Sequence, residues 1–540
     1  MKKSKKVLAL ALAAVMAVST FAGCGGSADE TTTAPTTTNG GSTNPTTAAP
    51  TTQAKEPAAK MSLLFRGGDH ANDENPQTIA FVKAIEEYTN TELTYETYPM
   101  ENYYEKLTLK YASGELATIM HTEQNAEFMN ACQYNVFWDI TDYIDLCDNL
   151  TVMPDLVRRS ASMKGRLYGV PLSRANVGRN ATSFRQDWAD ALNIGTPETI
   201  DDLYEMAVQF TNGDPDQNGK NDTYAFAWDG WNGALTHMMC WWGVPNNWGL
   251  DANGELVYYA MTEEYKTALK WLRQVYSEGL VPQDFRSTGG GKARGTYVQT
   301  GICGIYIQCA DDIRKAHDAM VGTEEAPGLF PNASWTYIVG VDAGHGIQVK
   351  PQNNGYNGYV AIAKSAAPTE KDMMAALNFL NDLCDAEMTN LIGFGFEGED
   401  YVIDENGYVD AYTAEERTEK GLGTGTYRNG WNSLIPYFHN AEESAKIVGV
   451  EQTSDIRKRE NEIYALNKQY LVTDYSIGLT SDTFVEIGAD LNSIIDTAML
   501  DYITGVIDDT ALQTALDQWL EAGGATVTAE MNEQYKLYNK

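Results

Sequence analysis

The sequence lacks the short motifs that mark common catalytic and nucleotide-binding centres. It contains no Gly-x-Ser-x-Gly elbow, no His-Glu-x-x-His pair and no glycine loop of the phosphate-binding or dinucleotide-binding kind. No hydrophobic run after residue 24 is long enough to span a bilayer. The six histidines are scattered at His70, His121, His237, His317, His345 and His439. What remains open among catalytic arrangements is a pair of carboxylates, because their spacing is set in three dimensions.

Cysteine is scarce, and its spacing gives no metal site. The chain has seven cysteines and no Cys-x-x-Cys pair, so neither a zinc site nor a thioredoxin-type centre is indicated. If Cys24 is lipidated, the remaining cysteines are Cys132, Cys147, Cys240, Cys303, Cys309 and Cys384. We interpret most of them as small buried hydrophobic residues, and a Cys303–Cys309 bridge stays open.

Positive charge is also in short supply. There are 39 lysines and arginines against 74 acidic residues, a formal charge of -35, and removal of four N-terminal lysines leaves -39. This charge argues against nucleic acid and anionic lipid surfaces as partners. Residues 151–190 are an exception, with seven cationic and three acidic side chains. Arg174 or Arg179 could bond ligand hydroxyls or a carboxylate there; the alternative is a solvated face that pairs with acids elsewhere.

The N-terminus has the pattern of a lipoprotein signal. Residues 1–23 combine four lysines, a short apolar segment and small residues before Cys24, the expected site of lipid attachment. The alternative is an ordinary secretory signal with an incidental cysteine. Residues 24–60 are rich in Thr and Pro and nearly free of large apolar residues, which predicts a disordered tether. We therefore expect a protein held on the outer face of a cell membrane by a lipid anchor only.

The remaining chain alternates between strand and helix patterns. Residues 61–65 and 93–98 are typical of strands, and the segments after each of them have helical spacing. Thr199 is placed to cap a helix, and a second helix is predicted over 263–277, followed by Gly279. This rhythm predicts an α/β fold.

The acidic loop at residues 214–222 is the most specific motif in the sequence. Its side-chain oxygens fall at positions 1, 3, 5 and 9, a glycine occupies position 6, and the backbone carbonyl at position 7 is available. This is the ligand spacing of an EF-hand and predicts a structural Ca²⁺ site. The predicted ligands are Asp214, Asp216, Asn218, Lys220 and Asp222. Position 12 is Ala225 instead of the usual glutamate; the alternative is a polar turn without metal.

Aromatic residues crowd the segment after this loop. Five of the eleven tryptophans lie between residues 228 and 248. Aromatic faces stack on pyranose rings, while amides and acids bond hydroxyls, so the segment predicts a carbohydrate-binding wall; the alternative is a tryptophan-rich core. A polar, glycine-rich turn at 352–359 and Trp431 are further candidates. The predicted ligand-binding residues are Trp228, Trp231, Trp242, Asp229, Asn232, Arg174, Asn354, Tyr356, Tyr359 and Trp431.

Several segments together resemble a known family. They are EEYTNTE at 86–92, YEKL at 104–107, ASGE at 112–115, GRLYGVP at 165–171, FRQDW at 184–188, TPET at 196–199, the loop at 214–222, GLVP at 279–282 and FGFEG at 394–398. In this order they resemble the family 1 extracellular solute-binding lipoproteins of ABC importers, in the branch of long members with a calcium loop. Ala117 and Thr118 stand where the family usually has Pro-Asp.

The resemblance implies two α/β lobes of the periplasmic-binding-protein kind, joined by a hinge, with the ligand between them. It implies delivery of a saccharide, and we expect an oligosaccharide, to the permease subunits of an ABC transporter. In relatives the acidic loop binds calcium; Thr223 stands where some of them have an acid. We expect a monomer with lobe 1 at 61–175 and 351–435 and lobe 2 at 176–350 and 436–540. The alternatives are a surface-anchored carbohydrate-active enzyme and a peptide-binding or sensory receptor.

Overall fold

The structure is a computed structural model that divides the chain into two units, 1–56 and 57–540. It describes residues 57–67, 75–174, 177–230, 233–289, 292–323, 326–422, 426–451 and 454–538, all in the second unit. The predicted signal peptide, Cys24, nearly all of the predicted tether, Trp231 and Asn232 lie outside these residues.

The strands of the described residues form two main sheets and two hairpins. They are β1 (Ala59–Arg66), β2 (Thr91–Tyr98), β3 (Ile119–Thr122), β4 (Val170–Ser173), β5 (Asn180–Arg185), β6 (Tyr224–Phe226), β7 (Trp248–Leu250), β8 (Leu256–Tyr258), β9 (Cys303–Cys309), β10 (Trp335–Ile338), β11 (Tyr356–Ile362), β12 (Tyr401–Ile403) and β13 (Val409–Ala411). The first sheet has the order β2-β1-β3-β11-β4, and the second has the order β10-β5-β9-β6.

Strand direction decides which edges of the sheets carry the loops. In the first sheet β1 is parallel to β2 and to β3, while β11 is antiparallel to β3 and to β4. The carboxyl ends of β1, β3 and β4 therefore lie at the same edge as the start of β11. In the second sheet β6 and β9 are parallel, and β5 is antiparallel to β9. The end of β9 and the start of β5 therefore share an edge.

Helices separate most of the strands, as the sequence rhythm predicts. They are α1 (Pro76–Thr89), α2 (Met100–Ser113), α3 (Ala126–Gln133), α4 (Asp155–Ala161), α5 (Gln186–Leu192), α6 (Ile200–Asn212), α7 (Gly233–Met239), α8 (Glu263–Ser277), α9 (Ala310–Val321), α10 (Glu370–Asp382), α11 (Ala386–Phe394), α12 (Ala414–Glu419), α13 (Ala441–Ser444), α14 (Asp455–Asn467), α15 (Asp482–Ile503), α16 (Asp509–Trp519) and α17 (Ala525–Tyr538). Thr199 caps α6 in a capping box: its hydroxyl accepts from the Asp202 N–H at 3.2 Å, and the Asp202 carboxylate accepts from the Thr199 N–H at 2.9 Å.

Each sheet is covered by its own buried core, which divides the described chain into two lobes. The core of the first lobe draws on residues 61–172 and 359–438 and includes Trp431, whose ring centroid lies 5.1 Å from that of Phe65. The core of the second lobe draws on residues 184–531 and includes Trp188 packed on Phe210. A smaller core lies on α9 and α14. The two-lobed α/β prediction is therefore confirmed.

Three segments cross between the lobes and form the hinge. The first two, residues 174–179 and 349–355, are hydrogen-bonded to each other. The Arg174 N–H donates to the Gly355 carbonyl at 2.8 Å, and the Gln352 N–H donates to the Val177 carbonyl at 2.8 Å. The third segment follows Phe438 and reaches α14, where the Asn467 amide donates to the Gly178 carbonyl at 2.8 Å. Its first part remains with the first lobe, because Glu443 accepts from the Ala386 N–H at 2.8 Å.

Two further observations bear on sequence predictions. The six cysteines Cys132, Cys147, Cys240, Cys303, Cys309 and Cys384 are buried free thiols, as expected for small hydrophobic residues. The possible Cys303–Cys309 bridge is wrong, because these residues begin and end strand β9, about 20 Å apart at the strand rise. Among the described residues, none of the helices combines the length and hydrophobicity needed to cross a membrane.

Candidate ligand-binding site and acidic loop

The carboxyl ends of the parallel strands in the first lobe carry charged and polar side chains. Arg66 ends β1, and Glu123 follows β3. The Arg66 guanidinium donates to the Tyr104 hydroxyl at 3.4 Å and lies 3.8 Å from the Glu123 carboxylate, to which Tyr104 donates. Burial, and then Glu123, raise the pKa of Tyr104, so the phenol stays protonated. Ligands of open α/β sheets bind at such carboxyl ends, which makes this edge a candidate binding surface.

A tyrosine pair lies at the start of β11 on the same edge. The partly buried Tyr356 contacts the Gln124 side-chain oxygen, and its hydroxyl lies 3.1 Å from the Ser160 carbonyl. Burial raises the pKa of Tyr356 to about 12. Tyr359, a predicted ligand contact, is 1% exposed, and its hydroxyl lies 3.1 Å from the Ala161 carbonyl. Tyr359 thus packs in the first core and supports Tyr356 instead of facing a ligand.

Arg174 lies on the hinge with an unused guanidinium. Its backbone pairs with Gly355, and its side chain is partly buried, with no hydrogen bond or ion pair to any described residue. Burial lowers the pKa of Arg174 most, and repulsion by the positive charges of Arg179 and then Arg66 lowers it further. Arg179 differs, because it pairs with Asp311 at 2.5 Å. Arg174 is therefore a predicted binding residue that the structure leaves available, and the partly buried Asn354 lies on the neighbouring hinge segment.

A small cavity opens beside the hinge on the second lobe, and we call it the hinge cavity. Its volume is about 100 Å³. It is lined by Asn180, Gly233, Thr236, His237, Ile307, Gln308, Lys350, Pro351 and Gln352. Asn180 begins β5 and Gln308 lies near the end of β9, so the cavity occupies the hinge-side edge of the second sheet. A larger cavity of about 500 Å³ lies between residues 156–165 and 473–479.

Most of the predicted tryptophan wall is core. Trp228 is 1% exposed and Trp242 is 7% exposed, and both belong to the core of the second lobe. The ring centroid of Trp228 lies 5.5 Å from that of Phe285, and that of Trp242 lies 5.1 Å from that of Trp271. Trp431 is likewise 2% exposed in the first lobe. The structure does not present these three rings as an exposed wall, because other rings of the cores cover them. Asp229 is also buried, three residues after the end of β6.

The acidic loop connects α6 to β6 and is held by its own side chains. The Asp214 carboxylate accepts from the Asn218 N–H at 3.0 Å and from the Gly219 N–H at 3.1 Å. The Asn218 side-chain amide donates to Asp216 at 2.7 Å and to Asp222 at 3.1 Å. Gly219 has a φ of 78°, as the sharp turn at position 6 requires. The pKa of Asp216 is raised by burial and, with smaller effects, by the charges of Asp222 and Asp214.

These contacts allow a test of whether the loop suits a cation. Among the described residues there is no cluster of three or more His, Cys, Asp or Glu side chains arranged to hold a metal ion. The side chains nevertheless provide the oxygen ligands that calcium prefers. The carboxylates of Asp216 and Asp222 both accept from the Asn218 amide, so they face the same place. A turn of that amide would direct its oxygen to the same point.

The sequence reasoning missed residues that the hinge brings together. Lys350 and His237 line one cavity, and Arg66 and Glu123 share one sheet edge, although each pair is far apart along the chain. A lone lysine or histidine carries no motif. The usable signal is the position of Arg66 directly after an apolar strand pattern, where α/β proteins bind ligands.

The sequence was compared with protein families and with known proteins. A sequence profile described as "Bacterial extracellular solute-binding protein" matches residues 80–392, which is more than half of the chain. "Lipoprotein LipO" of Bacillus subtilis is 28% identical over 472 residues, covering 86% of this chain and 89% of LipO. The "Polygalacturonan/rhamnogalacturonan-binding protein YtcQ" of the same organism is 28% identical over 471 residues, with the same coverage of 86% and 89%.

A solved structure with a similar fold is the Streptococcus pneumoniae "ABC-transporter substrate binding protein FusA EF-hand mutant in complex with fructo-nystose". It matches with a TM-score of 0.67 at 17% identity and covers 89% of this chain and 99% of FusA. YtcQ and FusA are both named as binding proteins. With the two lobes and the polar hinge edges, the profile match establishes that this chain belongs to the bacterial extracellular solute-binding protein family.

Proposed function

We propose that this protein captures an oligosaccharide outside the cell and delivers it to the permease subunits of an ABC transporter. The observation that carries the proposal is the pair of polar sheet edges at the hinge, one with Arg66, Tyr104 and Glu123 and the other with Asn180 and Gln308. Such edges offer hydrogen-bond donors and acceptors to sugar hydroxyls from both lobes. Relatives named for polygalacturonan and fructo-nystose support a carbohydrate ligand.

Binding would close the lobes by rotation about the crossing segments. Segments 174–179 and 349–355 are bonded to each other by backbone hydrogen bonds, so they can bend together while each lobe stays rigid. A ligand that touches both edges binds the closed form better than the open form and shifts the population towards it. The closed form is the one we expect the permease to recognise. The protein acts as a monomer and carries out no chemistry on the sugar.

The N-terminal part would keep the receptor at the membrane. We propose that residues 1–23 are removed as a signal peptide, that Cys24 carries the lipid, and that residues 24–60 are the tether. The name of the relative LipO, a lipoprotein, supports this reading. For the lobes we propose the boundaries predicted above, except that residues 436–450 belong with lobe 1, since Glu443 bonds to the first residue of α11.

The acidic loop would hold a structural Ca²⁺ ion. The ligands are side-chain oxygens of Asp214, Asp216, Asn218 and Asp222 and the carbonyl of Lys220, and the ion would fix the connection between α6 and β6. The similar FusA structure is described as an EF-hand mutant, and an EF-hand in a protein of similar fold supports a calcium ion in this loop. The ion would make only this loop more rigid, because the loop is exposed and follows the C-terminal end of α6, the opposite end from Thr199.

A thermal-shift screen tests the function. The purified protein would be melted in the presence of calcium with panels of oligosaccharides and peptides, and any ligand that shifts the midpoint would be recovered and analysed. A ligand that binds the native state raises the midpoint by mass action. We expect an oligosaccharide to do so and to be recovered intact. Recovery of a cleaved sugar would identify an enzyme instead, and a shift with peptides alone would exclude a carbohydrate receptor.

A further inference from the structure

The hinge cavity contains polar groups that nothing else in the described chain satisfies. His237 is 1% exposed, and neither of its ring nitrogens has a hydrogen-bond partner among the described residues. Buried polar groups in native proteins are nearly always bonded, and the exceptions often mark a site where something binds. A neutral imidazole offers one N–H donor and one acceptor nitrogen. Burial, and then the nearby Lys350, lower the pKa of His237 to about 3, so the ring is neutral.

Lys350 places an uncompensated cation on the wall of the same cavity. Its ammonium donates to the Thr236 hydroxyl at 3.0 Å, and it forms no ion pair with any described carboxylate. The charges of Asp474 and Asp496 act on it without an ion pair, and the Asp474 carboxylate is already bonded to Asn247 at 2.9 Å and to the Ser476 N–H at 2.9 Å. A largely desolvated cation without an ion-pair partner is costly, and an entering anion would relieve that cost.

The other polar groups of the cavity are also mainly donors. The Gln308 side-chain oxygen is used, because it accepts from the Cys309 N–H at 3.0 Å, and this leaves the Gln308 NH₂ group. The Asn180 NH₂ group is not available, because it donates to the Lys350 carbonyl at 2.9 Å. Lys350, His237 and Gln308 therefore offer several donors and few acceptors. An ionised carboxylate accepts at both oxygens and donates nothing, so it matches this set better than a hydroxyl, which accepts as well but brings an O–H donor and no charge to pair with the ammonium.

The size of the cavity suits the same group. A volume of about 100 Å³ is the share of roughly three water molecules, which a carboxylate and the ring atom that carries it would fill. Arg174 adds a second positive charge on the hinge, since its guanidinium pairs with no described residue, whereas the neighbouring Arg66 and Arg179 each lie beside an acid. Lys350 is bonded to residue 180, six residues from Arg174, which is at most about 20 Å of chain. A chain of several sugar units spans a separation of that order.

We propose that the ligand is an acidic oligosaccharide, and that one of its uronate carboxylates enters the hinge cavity between Lys350 and His237 while Arg174 contacts a second. This rests on the proposed function and adds the chemical class of the sugar. The positive site is local, because the chain as a whole carries a formal charge of -35. Selection is then achieved by the cavity, since neutral sugars leave the cation and the imidazole unpaired.

Titration calorimetry with tetragalacturonate, its methyl ester and a neutral tetrasaccharide tests the proposal. The ester keeps the size of the sugar but removes the charge. We expect the acid to bind at least about tenfold more tightly than the ester, the ratio typical of a hydrogen bond to a charged group. Equal affinities for acid and ester, or tightest binding of the neutral sugar, would overturn the inference and leave the proposed function standing. If none of a broad glycan panel binds, the proposed function itself fails.

Variants separate a binding role of the cavity from a structural role. Lys350→Met should weaken binding of the acid at least about tenfold, leave binding of the ester unchanged, and keep or raise the melting temperature of the free protein. Lys83→Met removes the same charge from the exposed face of α1 and should change nothing. His237→Phe keeps the volume and should also weaken only the acid. If Lys350→Met weakens acid and ester equally, or if both cavity variants bind the acid normally, the cavity is not the carboxylate site.

Discussion

Replacing Trp228 distinguishes a core residue from a ligand contact. Trp228 is 1% exposed, and its ring packs against Phe226 at 5.8 Å and Phe285 at 5.5 Å between centroids. Its indole N–H has no partner among the described residues, so truncation removes packing and no hydrogen bond. A buried tryptophan covers about 200 Å², worth about 5 kcal/mol at roughly 25 cal/mol per Å². Measured losses for Trp→Ala in cores are about 3–5 kcal/mol.

We therefore expect Trp228→Ala to destabilise the protein by about 3–5 kcal/mol, without changing the affinity of the folded protein for its sugar. Urea unfolding followed by circular dichroism measures the first quantity, and calorimetry at low temperature measures the second. Trp228→Phe is the matched control, since it keeps a ring in the same space and should cost much less. A variant that unfolds at the unchanged urea concentration but no longer binds sugar would refute the core assignment and restore the aromatic wall.

Three further predictions concern the acidic loop, a buried ion pair and a titrating carboxyl. Calcium should raise the melting temperature, EDTA should reverse the rise, and Asp216→Ala should abolish the difference; melting that ignores both reagents would exclude the ion. Asp400→Ala should cost about 3–5 kcal/mol in urea unfolding, because Asp400 is 4% exposed and binds Arg417 and Tyr427; a loss under about 1 kcal/mol would contradict a buried pair. Burial, and less so Asp385, raise the pKa of Asp382 to about 6, so the stability that its proton gives is complete at low pH and is lost between about pH 4 and 6. Asp382→Asn should then raise the melting temperature more at pH 7.5 than at pH 4, and an equal change at both would argue against the shift.

Local patterns are enough to predict much of the fold. The helix over 263–277 has the bounds that the sequence predicts, because its apolar residues recur at helical spacing and Thr262 and Gly279 flank it. The predicted strand at 61–65 is two residues shorter than β1 at its start and one at its end. These helices and strands depend on residues that are close together in the chain, so they can be predicted from a single sequence. The segments of family resemblance then supply the arrangement of the two lobes.

The site can be predicted only in part, because packing and crossing of the chain are not local. Trp228 and Trp242 have the composition of a sugar-binding wall, and no local pattern says that Phe285 and Trp271 already cover them. Arg174 is predicted because a cluster of positive charge is visible in an acidic chain. Lys350 is missed because its partners Thr236 and Asn180 are more than a hundred residues away.

The most direct test of the account is hydrogen–deuterium exchange of the protein with and without a sugar that raises its melting temperature. A ligand held between the lobes must slow exchange on both polar edges and on the hinge. We expect protection in peptides covering 119–124 and 350–356 and in those covering 303–312, and unchanged exchange in the acidic loop at constant calcium. Protection confined to one lobe, or to the surface outside both edges, would contradict capture of the sugar at the hinge.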